Sequence, residues 1–159
     1  MTILIRSHAE EQTRTLGERI GRRLVGGDIL ALRGNLGTGK TCLVKGIARG
    51  LGIPEEEVVS PTYTLIHEII GSLRLFHIDL YRIEDPDDLE NIGFYEAFEK
   101  DAVTVVEWPD RFIEWLPEPY LMVELEQISE GEREFRFRSR GEHYQGLIEA
   151  LLNEPSEGA

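Results

Sequence analysis

The sequence predicts an α/β protein, a three-layer sandwich whose central mixed sheet contains antiparallel hairpins. Three observations carry that expectation. Strand-like apolar runs alternate with stretches of helical periodicity, beginning with residues 2–6, a helix, and residues 29–32. Two pairs of strand-like runs meet across short turns, Gly71-Ser72 and Glu130-Gly131, which return the chain antiparallel. Between residues 29–32 and the next helical stretch lies Gly-Asn-Leu-Gly-Thr-Gly-Lys-Thr, residues 34–41. It matches Gly-x-x-x-x-Gly-Lys-[Ser/Thr], so the sandwich is expected to be P-loop NTPase-like.

Composition bounds the rest. A chain of 159 residues with 41% apolar content can cover one sheet, so residues 1–153 are expected to form one domain, with a disordered tail at 154–159. The 17 basic against 30 acidic residues leave a formal charge of −13, which argues against tight direct RNA binding by this chain alone. The one cysteine, Cys42, cannot form an internal disulfide. The N-terminal Met-Thr-Ile-Leu-Ile-Arg lacks the apolar run of a signal peptide, and no stretch reaches membrane-spanning length. A soluble cytoplasmic protein is the expectation.

In chain order, residues 2–6 alternate as a short strand, and Ser7 with Glu10 reads as a capping box opening a helix to about Val25. Ala9, Leu16, Ile20 and Leu24 share its apolar face, and Gly26-Gly27 ends it. Asp28 begins the strand that feeds the glycine loop. The helix after the loop, from Thr41, closes at Gly50 or Gly52, with Pro54 as a stop. A polar connection at 55–61 leads to a strand over 62–70, and residues 73–79 return. A two-residue turn there places Ile70 opposite Leu73 and Thr64 opposite Asp79.

Pro86 suits the first turn of a helix over 85–91, and Gly93 separates it from a second over 94–100. The acidic residues from Glu84 to Glu96 read as a solvated face, with a docking surface as the sharper alternative. Residues 102–106, Ala-Val-Thr-Val-Val, read as a fully buried strand that ends in Glu107-Trp108-Pro109-Asp110. One or two helical turns follow at 111–116. The second hairpin, 120–128 with 133–139, sets Leu121, Val123 and Leu125 on one face. Its Arg133, Arg136, Arg138 and Arg140 are better read as partners of the neighbouring glutamates than as a phosphate lid or RNA surface. A last helix, 142–152, presents Tyr144, Leu147, Ile148 and Leu151.

A strand that feeds a glycine loop into a helix start builds an anion site, because backbone N–H groups turn inward and the helix dipole adds positive charge. Asn35, Leu36, Gly37, Thr38, Gly39, Lys40, Thr41 and Cys42 are therefore expected along the nucleotide. Lys40 would reach its β- and γ-phosphates and the Thr41 hydroxyl would ligate Mg²⁺. The Cys42 thiol itself reads as packing. Thr62 and Thr64 join the same edge if the strand ending in Asp79 runs parallel to the loop strand.

Two carboxylates end strands, and phosphoryl transfer divides the work between them. Asp79, with its short arm, suits Mg²⁺ through water; Glu107 reaches farther, beside the ion and onto the attacking water. Lys40 and Glu107 are thus the expected catalytic groups, and Thr41, Asp79 and Glu107 the metal's. Trp108 reads equally as a core residue or as a ligand contact that stacks on adenine or reports the γ-phosphate. His67 and His77 lack metal-ligand spacing and read as plain strand residues, and Arg82 as an ion-pair partner of Glu84 or Asp85. No Asn-Lys-x-Asp guanine clamp occurs, which favours ATP over GTP.

Four segments taken together resemble the TsaE family: residues 34–41, Ser-Pro-Thr-Tyr-Thr at 60–64, His-Ile-Asp-Leu-Tyr-Arg at 77–82 and Val-Glu-Trp-Pro-Asp at 106–110. These are the small bacterial ATPases of tRNA threonylcarbamoyladenosine biosynthesis. The resemblance implies that residues 60–64 act as switch I, Asp79 as the Walker B metal residue and Glu107-Trp108 as switch II. It also implies ATP binding and hydrolysis that reset a complex of the threonylcarbamoyl transferase TsaD and its partner TsaB, with tRNA met only through that complex. The acidic charge fits docking on protein rather than RNA. From Tyr120 onward no motif of the family can be matched. Two other readings stay open at this point. One is a small-molecule kinase of the shikimate or nucleotide type, which needs an acceptor pocket and an arginine-bearing lid. The other is a nucleotide-dependent binding module without useful turnover.

Overall fold

The computed structural model describes residues 1–35, 39–59 and 65–153; the expectations for Leu36, Gly37, Thr38, residues 60–64 and the tail 154–159 lie outside the described residues. The first half of the chain runs β1 (Thr2–Ser7), α1 (Glu10–Arg23), β2 (Ile29–Arg33), α2 (Lys40–Gly50), β3 (Ile66–Ile69) and β4 (Arg74–Asp79). The second runs α3 (Asp88–Asn91), β5 (Ala102–Glu107), β6 (Leu121–Ser129), β7 (Glu132–Ser139) and α4 (Glu142–Asn153). Short 3₁₀ turns lie at Glu55–Glu57, Phe94–Glu96 and Asp110–Trp115.

The seven strands make one mixed sheet in the order β1-β7-β6-β2-β5-β4-β3. Its middle, β6-β2-β5-β4, is parallel, while β3 on β4 and β7 on β6 are antiparallel hairpins, and β1 closes the far edge on β7. All six residues of β5 are buried, as an apolar run between two covered faces must be. On one face Leu30, Leu32, Val103 and Val105 pack under Leu16, Ile20, Leu43 and Ile47 of α1 and α2, and under Tyr144 and Ile148 of α4. On the other, Ile29, Ala31, Ile78 and Val106 lie under Leu89, Phe94, Phe112 and Leu116. The expected α/β sandwich is therefore present, although its second helical layer is made of short turns.

Helices α1 and α2 touch backbone to backbone. A Cβ on Gly17 would stand 2.4 Å from the Leu43 carbonyl oxygen and 2.9 Å from the Gly46 Cα, and one on Gly46 would stand 2.2 Å from the Arg14 carbonyl oxygen. The same meeting recurs one turn on between Gly21 and Gly50. Glycines spaced four apart on both helices thus set their separation, which the reading of α1 as an ordinary amphipathic helix did not include. At the opposite end of the sheet the Tyr144 hydroxyl accepts the Ile29 N–H at 2.9 Å, and the Asp28 carboxylate is shared between the Val25 N–H at 2.8 Å and His143 Nε2 at 2.7 Å. These bonds tie the start of α4 to the start of β2.

Several expectations are corrected. Ser7 does not cap α1: it is buried at the end of β1, its hydroxyl 2.6 Å from that of Thr13, while Gln12 Oε1 accepts the His8 N–H at 2.7 Å. The helix stops at Arg23 rather than Val25, and the expected helix over 94–100 is only the turn Phe94–Glu96. Ala9 is exposed. The first hairpin is one residue out of the expected register. Ile66 pairs with Ile78 and Ile69 with Leu75, and the Asp79 N–H donates to the carbonyl of Leu65, not Thr64, at 2.8 Å. The turn absorbs the extra residue because Leu73 packs on the core and Gly71 lies against Ile53, where a Cβ would come within 2.8 Å of that side chain.

Gly46→Ala should lower the stability by about 1–3 kcal/mol or more, as overpacking does, read by urea denaturation. Wild-type stability in that variant would show that the glycine contact does not set the helix spacing.

Candidate functional site

The site is built at the carboxyl edge of the parallel strands. Across β2, β5 and β4, Leu32 pairs with Glu107 and Glu107 with Asp79, so the three strands end level. The register is held past the strand ends, where the Trp108 N–H donates to the Leu32 carbonyl at 3.2 Å and the Leu80 N–H to the Glu107 carbonyl at 3.1 Å. Along β4, His77 and Asp79 alternate with core residues and face the α2 side, as Val105 and Glu107 do on β5. Sequence positions about thirty apart thereby share one corner of the sheet.

Over this edge lies a cavity of about 670 Å³. Gly39, Lys40, Thr41 and Cys42 line its floor and Asp79, Glu107 and Trp108 one wall. Gly39, at φ +100°, turns the chain into α2, a left-handed conformation suited to glycine. Lys40 is buried: its Nζ donates to the Gly34 carbonyl at 2.6 Å and stands 3.6 Å from the centre of the Trp108 ring. Burial depresses the Lys40 pKa, against the pull of Glu107, Asp79 and Asp110. Trp108 takes φ +59°, strained for a bulky side chain, and its ring meets Tyr81 at 4.8 Å.

Asp79 Oδ1 accepts the Tyr81 N–H at 2.9 Å, and burial, with Glu107 adding to it, pushes the Asp79 carboxyl up. Glu107 is 4% exposed and bonds through Oε2 to Nε2 of His77, which is fully buried. Two carboxylates and one ammonium leave this corner with an excess of negative charge, a setting that a bound polyanion would worsen unless a cation entered with it. Among the described residues no three His, Cys, Asp or Glu side chains cluster as a metal cage. The Thr41 hydroxyl and the Asp79 and Glu107 carboxylates instead offer the small oxygen set that suits Mg²⁺, whose remaining ligands are water and phosphate oxygens.

Of the expected site residues, the structure brings Gly39, Lys40, Thr41, Cys42, Asp79, Glu107 and Trp108 to one cavity. Asn35 is exposed and lines a smaller cleft beside it, with Gly34 and Trp108. Cys42 Sγ donates to the Glu10 carbonyl at 3.3 Å, and burial raises its pKa, so the thiol packs as expected. Leu36, Gly37, Thr38, Thr62 and Thr64 lie outside the described residues. Arg82 is exposed and does not line the cavity. Of the hairpin arginines, Arg138 pairs with Glu124 at 3.2 Å, Arg136 with Glu134 at 4.0 Å and Arg140 with Glu118 at 3.1 Å.

Of the far wall only Arg133 is anticipated by the sequence, as part of the phosphate-lid reading set aside above; the structure places it on the cavity. Glu10 and Thr13 from α1 face Gln127, Glu130, Gly131 and Arg133 from the β6–β7 hairpin. Alternation alone gave the hairpin, but its place over the loop depends on β6 pairing with β2, which no local signal encodes. His77 was likewise missed, because its partner is thirty residues away.

A family model described as Threonylcarbamoyl adenosine biosynthesis protein TsaE matches residues 7–135. A protein of Treponema pallidum described as tRNA threonylcarbamoyladenosine biosynthesis protein TsaE is 41% identical over 128 residues, covering 80% of this chain and 94% of that one. One of the same description from Bacillus subtilis is 39% identical over 142 residues, covering 89% and 88%. Among solved structures, a crystal structure of Bacillus subtilis YdiB superposes with a TM-score of 0.77 at 32% identity, covering 96% of this chain and 95% of that chain.

The Lys40–Trp108 contact can be read directly. In Trp115→Phe, whose emission reports Trp108 alone, saturating Mg·ATP should change the fluorescence as phosphate takes the ammonium from the ring, and Lys40→Ala in that background should stay flat. Unchanged emission in a sample shown by calorimetry to have bound nucleotide would mean that the indole does not respond to the lysine.

Proposed function

The chain belongs to the TsaE family, and on that premise we propose that it binds and hydrolyses ATP with Mg²⁺ in support of tRNA threonylcarbamoyladenosine formation, acting on a TsaD–TsaB complex. The observation that carries the chemistry is the meeting of Lys40, Thr41, Asp79 and Glu107 in one cavity at the strand edge. Phosphates resting at the start of α2 exchange the Gly34 carbonyl and the Trp108 ring for their own oxygens as partners of Lys40. Thr41 and Asp79, with Glu107 beside them, would hold Mg²⁺, which when bound would neutralise charge on the phosphates.

Glu107 orients a water in line with the γ-phosphorus and accepts its proton as the new P–O bond forms, and the bond to the β-phosphate oxygen breaks to release ADP. The space between Glu10 and Thr13 on one side and Gln127 and Arg133 on the other accommodates the rest of the nucleotide. The kinase reading finds less support, since of the four hairpin arginines only Arg133 lines the cavity, while Arg136 and Arg138 are engaged in strand ion pairs. Docking on protein partners accords with a net charge of −13. No helix among the described residues is long and apolar enough to cross a membrane.

Lys40→Ala should weaken nucleotide binding by about 10- to 100-fold, the worth of a charge-assisted bond, in a calorimetric titration. Glu107→Gln should keep binding yet lower turnover by about 10²–10⁴-fold, as loss of a general base does. ATP turnover measured alone and with TsaD, TsaB and tRNA should rise with the complex. Parent-rate hydrolysis by Glu107→Gln would remove the assigned role, and indifference to the complex would remove the assigned partners.

A further inference from the structure

His77 is a buried polar group beside the site that the chemistry above leaves unused. It lies in β4, two residues before Asp79, is fully buried, and makes one polar contact among the described residues, from Nε2 to Glu107 Oε2. Its other ring nitrogen, Nδ1, is buried without a hydrogen-bond partner. A histidine retained only to fill the core would be expected to satisfy both nitrogens or to be replaced by an apolar side chain, because a buried unpaired polar atom is costly. Here that cost is accepted in exchange for one bond, and the bond is to the carboxylate assigned to the attacking water.

The placement has a geometric reason. His77 pairs with Val105 and Asp79 with Glu107, so on the face toward α2 His77 is the diagonal neighbour of Glu107 across the β4–β5 ladder. An imidazole spans that diagonal and delivers an N–H to one carboxylate oxygen. A glutamate side chain has three rotatable bonds, and without such a partner its carboxylate would sample several orientations at the cavity wall. Asp79 is fixed in a parallel way by the Tyr81 N–H.

We propose that His77 is a positioning residue for hydrolysis: its Nε2–H holds one oxygen of Glu107 and so aims the carboxylate at the water. The inference rests on the hydrolytic role of Glu107 proposed above. His77 does not line the cavity, and its one hydrogen bond among the described residues is to Glu107, so its effect belongs in kcat rather than in nucleotide binding.

The test is steady-state Mg·ATP hydrolysis by the full chain, with calorimetric Mg·ADP affinity and thermal melting alongside, for wild type, Glu107→Gln, and His77→Gln, His77→Asn and His77→Leu. Glutamine carries its amide nitrogen where the imidazole has Nε2, whereas asparagine carries it where the imidazole has Nδ1. The expected result is a loss of about 10- to 100-fold in kcat for Asn and Leu, the scale of a misaligned catalytic group, with Mg·ADP affinity within about twofold and recovery of most of the rate by Gln. Adding His77→Leu to Glu107→Gln should lower kcat no further. If Leu fails to fold, the contrast of Gln with Asn decides alone. Equal rates in Gln and Asn, wild-type kcat in Leu, or a further loss in the double variant would overturn the positioning role while leaving Glu107 in place. Wild-type activity that survives Glu107→Gln would instead overturn the hydrolytic reading, and this inference with it.

Discussion

Everything at the site depends on three parallel strands ending level. With Leu32, Glu107 and Asp79 side by side in the β2–β5–β4 ladder, the glycine loop and two carboxylates open onto the same edge without any long loop to carry them. The ladder hydrogen bonds continue beyond the last paired residues through Trp108 and Leu80, which makes the edge stiff where the chemistry needs alignment. A slip of one residue in β5 would turn Glu107 to the opposite face and bury it among Ile78, Phe112 and Met122.

The opposite wall is set by a second constraint, the glycine contact between α1 and α2. Because Gly17 and Gly21 admit the backbone of α2, the start of α1 comes close enough for the Glu10 carbonyl to accept a bond from Cys42, just past the glycine loop. The cavity is thus framed by backbone on two sides, from the sheet edge and from the helix pair. The C-terminal hairpin completes it only because β6 lies beside β2, which swings Gln127 to Arg133 over the cavity.

Charge in this corner is poised rather than balanced. Lys40 is held by one carbonyl and one aromatic face, partners weaker than phosphate, while Asp79 and Glu107 crowd each other in a part-buried pocket. Both imbalances would be relieved by an anion at the ammonium together with a cation at the carboxylates. The left-handed backbone of Trp108 sets its indole between the Lys40 ammonium and the Tyr81 ring at the surface.

The glycine loop, the buried strand 102–106 and the two hairpins were legible in the sequence because each is encoded by neighbours: a spacing, an uninterrupted apolar run, a turn between alternating stretches. The same locality singled out Lys40, Thr41, Asp79 and Glu107, each at the end of a recognisable strand or the start of a recognisable helix, and the structure brings them to one cavity. What the sequence could not decide is what depends on pairing between distant segments. The first hairpin slipped by one residue because Leu73 found a place in the core, a gain that no turn rule contains. Gly17 and Gly46 looked like ordinary helix residues until two helices were brought together, and His77 like an ordinary strand residue until Glu107 arrived beside it. Local sequence determined which groups exist and on which elements; only tertiary packing decided which of them meet, because contact energies are settled between surfaces that the chain order keeps apart.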